Sequence, residues 1–257
     1  MTGSVRLETN SGVATVQLDN VRHRNAMTYE MYQALPEMFE QIAADDSIRV
    51  VILRGAGTAA FSAGGDITEF SELRAPGEPA RAYNRAVLGA ERAIEACDLP
   101  TIAMIHGACV GGGCGLALAA DLRIADTSLR MGITSARMGL AFGFESVRRL
   151  VDAVGRGTAA RMLFSAVLLE ADEARSERLV DLVYPVEQLE ASTLELAHRI
   201  AGNSPVSVGS AKRFLRQIAQ GTREESSEAS RERDASFDSA DYREGVTAFL
   251  ERRSPKF

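Results

Sequence analysis

Twice in the first half of the chain a short run of aliphatic, β-prone residues leads into a glycine-rich turn that opens a helical stretch. The runs are residues 48–53 (IRVVIL) and 101–105 (TIAMI). The turns are Phe61-Ser62-Ala63-Gly64-Gly65-Asp66-Ile67 and His106-Gly107-Ala108-Cys109-Val110-Gly111-Gly112-Gly113-Cys114-Gly115. A strand, turn and helix repeated in this way predicts an α/β chain. Glycine lets backbone approach a ligand closely and accepts positive φ. An amide at a helix N-terminus points outward at the positive end of the helix dipole. Two such turns, each following a strand, can aim two N–H groups at one oxygen, the layout of an oxyanion hole. The plainer alternative is a pair of tight connections in a packed domain. Neither turn matches GxGxxG or GxxxxGK, which argues against a dinucleotide fold or a P-loop.

The rest of the chain reads in the same grammar. Residues 5–9 and 13–18 predict a hairpin around Asn10-Ser11-Gly12. Thr28 is placed to cap a helix with the apolar stripe Met31, Leu35, Met38, Phe39 and Ile42, and Pro36 predicts a kink or a late start in it. Tyr83, Val87, Ala90 and Ile94 mark a second amphipathic helix, which Pro100 prevents from running on. A short apolar helix over 113–120 and strands over 122–125 and 129–132 follow. Beyond Glu145 the pattern is mostly helical, with one strand near 179–184, and after Asn203-Ser204-Pro205 it is helical only. Residues 222–233, dense in Glu, Ser and Arg, read as a solvated face. Tyr242, Val246, Phe249 and Leu250 form a terminal apolar stripe that must dock on its own core or on a neighbouring subunit.

Composition excludes several classes. The 257 residues are 46% hydrophobic and 25% charged, unlike a disordered, collagenous or disulfide-stapled chain. A net charge of −6 argues against a nucleic-acid partner. Cys97, Cys109 and Cys114 are odd in number and lack CxxC spacing, so a disulfide framework is not expected and a cytoplasmic setting is. Residues 1–8 show no leader pattern, and no apolar run is long enough for a membrane span. His23, His106 and His198 have no zinc spacing, and no metal is expected.

AFSAGGDI (60–67), MIHGACVGGGCGLALAADLRIA (104–125), VRHRNAMT (21–28) and DYREGVTAFLERRSPKF (241–257) together resemble the crotonase, or enoyl-CoA hydratase/isomerase, superfamily. The resemblance implies a spiral of ββα units over 1–203 that binds an acyl-CoA thioester. It also implies a helical trimerisation region over 204–257, hence a homotrimer or a dimer of trimers. Coenzyme A would enter as part of the substrate, with no permanently bound cofactor. The hole donors would be the N–H groups of Gly65 and Gly112. Ala63, Gly64, Asp66 and Ile67 would line the adenine and pantetheine path. Arg24 would lie near the CoA phosphates, and Phe249 and Arg252 would approach CoA, often from a neighbouring subunit. A surface arginine and a core aromatic are the plainer readings of those three.

The departures from the pattern are chemical. The two glutamates of the hydratases fall at Gly115 and Ser135 here, and a third family position that carries an aspartate falls at Gly143. Hydration needs a base for water and an acid for the α-carbon, and neither is in its expected place. The nearest carboxylates are Glu145, Asp66 and Glu69. Asp66 reads as a turn or helix cap and Asp121 as structural. Glu145 is expected to supply the acid/base, with its pKa raised if Phe142 and Phe144 wall it from water. His106 either orients the glycine turn or acts as a base. The chemistry left is enolate stabilisation, serving decarboxylation or isomerisation, or else a non-catalytic CoA-thioester-binding paralogue. A serine hydrolase on Ser62, with His106 or His198, is a separate reading from the near-miss elbow at Ser62.

Overall fold

The structure, a computed structural model, describes residues 3–257; Met1 and Thr2, the start of the segment read as lacking a leader, lie outside the described residues. Strands β1 (Ser4–Asn10) and β2 (Val13–Asp19) pair antiparallel with Asn10 opposite Val13. That register leaves Ser11-Gly12 as a two-residue turn, with φ of 50° and 79°, the left-handed pair whose twist suits a tight hairpin.

Three strand pairs then build the spiral. In each, a long strand enters one sheet and a three-residue strand enters a second. The pairs are β3 (Val50–Gly55) with β4 (Ala60–Ser62), β5 (Thr101–Ile105) with β6 (Ala108–Val110), and β7 (Leu122–Asp126) with β8 (Arg130–Gly132). Strands β9 (Leu169–Glu170) and β10 (Leu182–Tyr184) complete the sheets. The large sheet runs β1-β2-β3-β5-β7-β10, parallel from β2 onward, and the small one runs β4-β6-β8-β9. The first strand starts two residues later than the expected 48–53, and of 179–184 only the last three residues pair. Leu179 and Val180 are buried, but as the approach to the strand.

The helices are α1 (Tyr29–Ala43), α2 (Phe70–Leu73), α3 (Glu78–Ala96), α4 (Gly112–Ala119), α5 (Phe144–Ser165), α6 (Ala171–Ser176), α7 (Leu189–Ala201), α8 (Pro205–Ala219), α9 (Ser227–Ser236) and α10 (Ala240–Glu251). Thr28 caps α1, its hydroxyl accepting from the Met31 amide at 3.2 Å. The late start expected as one alternative at Pro36 does not occur, since α1 begins at Tyr29 and continues past the proline. An interior proline costs about 3 kcal/mol. Burial of Met31, Tyr32, Leu35, Phe39 and Ile42, each contributing about 1.5–3 kcal/mol, outweighs that. Helix α5 is interrupted at Gly155, where φ is 74°.

Helix α8 is tied to the sheet by buried Lys212, whose ammonium donates to the Leu99 carbonyl at 2.6 Å and to Asp121 at 2.7 Å. Asp121 also accepts from the Thr101 amide at 2.7 Å, so its role is structural. The terminal stripe is not covered within the single chain: Phe249 is 83% and Leu250 75% exposed, and Tyr242 and Val246 are also exposed. Helix α10 packs inward through Ala248 instead, which turns the larger side chains outward. Among the described residues no helix is long and apolar enough to cross a membrane.

Candidate active site

The spiral brings the two glycine turns together. Gly64 has φ of 99°, and a Cβ there would lie 2.9 Å from the Val110 carbonyl oxygen, so only glycine lets the turns touch. The Gly64 carbonyl accepts from the Met27 amide at 2.7 Å, and the Asp66 amide donates to the Met27 carbonyl at 2.8 Å. Those bonds fix the backbone on both sides of Gly65 and leave its own N–H unused. Gly111 donates to Gly132 at 2.9 Å, and Gly112 begins α4, where a first-turn amide has no partner inside the helix. A Cβ on Gly112 would lie 3.6 Å from the Gly65 nitrogen. Among the described residues neither amide donates to any acceptor in the chain.

Both amides border a cavity of about 400 Å³, walled in part by Tyr32, Phe70, Tyr83 and Phe142. The Tyr32 hydroxyl packs against Gly112, 2.2 Å from where a Cβ would be, and the Tyr83 hydroxyl stands 2.9 Å from the equivalent point on Gly65. Burial pushes both phenols well above their ordinary pKa, so both are neutral hydroxyls.

Ala63, Gly64 and Ile67 line this cavity with Gly65 and Gly112, but Arg24, Asp66, Phe249 and Arg252 do not. Asp66 turns inward as a cap, accepting from the Thr68 amide at 3.0 Å and facing His23 at 3.2 Å. Burial pushes its carboxyl up, but these partners outweigh burial and hold it below the usual range. Arg24 has φ of 53°, and its carbonyl accepts from the Ala63 amide at 3.0 Å while its side chain is exposed. It therefore braces the first glycine turn through its backbone. Phe249 lines a separate groove with Val246 and Phe257, and Arg252 is exposed at the end of α10. Glu69 accepts from the Tyr29 amide at 2.8 Å.

Glu145 is on the cavity wall, but not in the surroundings expected of it. Phe144 is 84% exposed and does not shield it. Arg92 engages both carboxylate oxygens, Oε2 at 3.0 Å, and that pairing holds Glu145 below the usual carboxylate range. The pKa expected to rise therefore falls. Ser62 is fully buried, and its Oγ accepts from the Gly64 amide at 3.2 Å. It braces the turn and is not an exposed nucleophile, which removes the hydrolase reading. His106 is buried at the start of the second turn, with its Nδ1 2.6 Å from buried Asp126.

Glu91 of α3 was not among the residues expected here. Its side chain is 1% exposed and borders the cavity. Its signal was present, because it stands four residues after Val87 on the apolar stripe of that helix, where a carboxylate is costly. Among the described residues no group of His, Cys, Asp or Glu side chains is arranged to hold a metal ion.

These features coincide with one family. Residues 8–257 match the family model described as enoyl-CoA hydratase/isomerase, and the chain belongs to that family, in the crotonase superfamily. Among its relatives, a short-chain-enoyl-CoA hydratase from Clostridium acetobutylicum is 32% identical over 256 residues, covering 97% of this chain and 95% of the relative. The methylmalonyl-CoA decarboxylase of Escherichia coli is 30% identical over 257 residues, covering 98% and 97%. A crystal structure of an enoyl-CoA hydratase/carnithine racemase from Magnetospirillum magneticum superposes with a TM-score of 0.95 at 35% identity, covering 100% of this chain and 96% of that one.

Proposed function

We propose that the protein binds an acyl-CoA thioester and stabilises its enolate with the N–H groups of Gly65 and Gly112. The observation that carries this reading is the pair of unpartnered backbone amides, side by side at one cavity. A thioester oxygen accepting from both gains charge when the α-carbon loses a proton or a carboxyl group. Removing one such donor typically costs ~10²–10³ in rate. Ala63, Gly64 and Ile67 flank the approach of the pantetheine arm. Arg24, Phe249 and Arg252 are exposed positions for the CoA phosphates and adenine, the last two in a homotrimer or dimer of trimers built on the apolar face of α10.

Hydration by paired glutamates is not the reaction favoured, because Gly115 and Ser135 carry no carboxylate. Isomerisation or decarboxylation of a thioester uses the same two amides and fewer proton carriers, and the similarity to a methylmalonyl-CoA decarboxylase supports weighing it. The test is incubation with a panel of enoyl-, malonyl- and 3-oxoacyl-CoAs, with products read by mass spectrometry. Conversion of a malonyl- or 3-enoyl-type ester, with crotonyl-CoA hydrated very slowly, is expected. Hydration at ~10 s⁻¹ or more, an ordinary enzyme rate, would overturn the placement of the missing glutamates. Tight acyl-CoA binding with no turnover of any ester would favour a non-catalytic thioester-binding role.

A further inference from the structure

Two carboxylates border the cavity, and they are held differently. Both oxygens of Glu145 are engaged by Arg92. Glu91 uses one oxygen only: Oε2 accepts from the Ser146 hydroxyl at 2.6 Å and from Arg149 at 2.6 Å. Oε1 is buried and, among the described residues, has no hydrogen-bond partner. A buried acceptor without a partner is costly and calls for an explanation.

The position of that oxygen supplies one. Oε1 lies 2.2 Å from the point where a Cβ on Gly115 would be. Any other residue at 115 would displace it. Gly115 is one turn along α4 from the free amide of Gly112, its own N–H donating to the Gly111 carbonyl at 3.0 Å. Three residues of helix advance about 4.5 Å. An oxygen held on the Gly112 amide has its α-carbon two bonds away, and Gly112 and Glu91 border the same cavity. The glycine at 115 therefore both removes a side chain from α4 and admits a carboxylate from α3.

We propose that Glu91 is the acid/base of the enolate site, a reading that rests on the thioester function proposed above. In the forward direction the α-C–H bond breaks and the proton passes to Glu91 Oε1. The C–H electron pair forms the Cα=C bond, and the carbonyl π pair moves to the thioester oxygen between Gly65 and Gly112. Reversal returns the proton to the α-carbon. After loss of carbon dioxide from a malonyl-type ester, a protonated Glu91 delivers the proton that completes the product. Arg149 and Ser146 are positioning residues. The Arg149 charge is shared with Glu95 at 2.6 Å and Glu145 at 3.7 Å, so Glu91 is not its sole partner. Burial raises the Glu91 pKa and outweighs the bonds from Ser146 and Arg149, which suits a group that must both take and give a proton.

The experiment is hydrogen exchange at the α-carbon of a saturated ester, butyryl-CoA, in D₂O, read by mass spectrometry on the full-length protein. It needs no knowledge of the natural acyl group. Wild type is expected to incorporate deuterium, and Glu91→Gln to do so at least ~10²-fold more slowly with butyryl-CoA affinity retained. Gly115→Ala keeps every charge and favours the helix, yet places a methyl on Oε1. It is expected to slow exchange in a protein that still folds, with a lowered melting temperature from the overpacking. Gly115→Asp in a Glu91→Ala background returns a carboxylate oxygen to the vacated point and is expected to recover exchange. Wild-type exchange that persists in Glu91→Gln, or that is lost in Glu145→Gln and kept in Glu91→Gln, overturns the assignment alone. Butyryl-CoA binding without exchange in wild type overturns both the assignment and the enolate reading.

Discussion

Replacing Gly112 with alanine tests the two-amide site at the atom where it is tightest. Gly112 does not have positive φ, so alanine meets no backbone strain there. The added methyl would stand 2.2 Å from the Tyr32 hydroxyl oxygen, 3.5 Å from its ring carbon and 3.6 Å from the Gly65 nitrogen. Only the first of these is a clash. Tyr32 is buried and packs edge-on against Tyr83, with ring centroids 5.8 Å apart, so its hydroxyl cannot retreat freely. Overpacking of that kind costs about 1–3 kcal/mol, which for a domain of this size lowers Tm by roughly 2–4 °C per kcal/mol. The clash resides in one oxygen, so adding Tyr32→Phe should return most of the lost stability. Activity should behave differently. The methyl occupies the space between the two amides, and the expected loss is ~10²–10³ in α-deuterium exchange, the loss typical of removing one hole donor. Tyr32→Phe does not remove the methyl and should leave that loss in place. Thermal melts and exchange of butyryl-CoA in D₂O, run on both single variants and the double, separate the effects. Wild-type exchange in Gly112→Ala would refute the hole, and recovery of exchange in the double variant would show that displaced Tyr32 caused the loss.

Asp126 is pushed up by burial, but bonds from His106 and Ser128 outweigh this and hold its carboxyl below the usual range; its stabilisation is complete above the unfolded carboxylate pKa and disappears as pH falls through the folded value. His106→Ala should therefore move acid unfolding, followed by circular dichroism, to higher pH, and an unchanged midpoint would contradict the pairing. The wild-type exchange rate should rise with pH through the elevated Glu91 pKa. The ionisable groups facing Glu91 are Tyr32 and Cys114, both pushed up by burial, Glu145, pushed down by Arg92, Arg149, and Glu95, whose burial is outweighed by Arg149 and Arg148; a limb that survives in Glu91→Gln would assign it elsewhere. Finally, the exposed Phe249 and Leu250 should bury in a trimer or a dimer of trimers, so light scattering near the 27.6 kDa monomer mass would refute the assembly, and Phe249→Asp should dissociate it.

Local chemistry made much of this protein legible from its sequence. Ser11-Gly12 closes the hairpin, Thr28 caps α1, and the strand-to-glycine junctions at residues 53–65 and 105–112 lie where periodicity and turn residues place them. Each of those signals is carried by neighbours in the chain, which is why a linear reading finds them. Strands of three residues such as β4, β6 and β8 carry too little pattern, and they become strands only because they pair with one another. The helix through Pro36 likewise follows from burial on both sides of the proline and not from its own propensity. The charged half of the site was decided in the same way. Glu145 stands near the expected glycine turn, yet Arg92 from α3 meets it and removes the raised pKa that position suggested. Glu91 stands out only as a carboxylate on an apolar stripe and Gly115 only as a missing glutamate, and neither points to the other. Packing α3 against α4 puts an oxygen of one where the side chain of the other would have been. A sequence specifies residues and their local conformations, whereas desolvation and charge pairing depend on which distant segments share the same few ångströms. The assignment of the proton carrier therefore belongs to the tertiary structure.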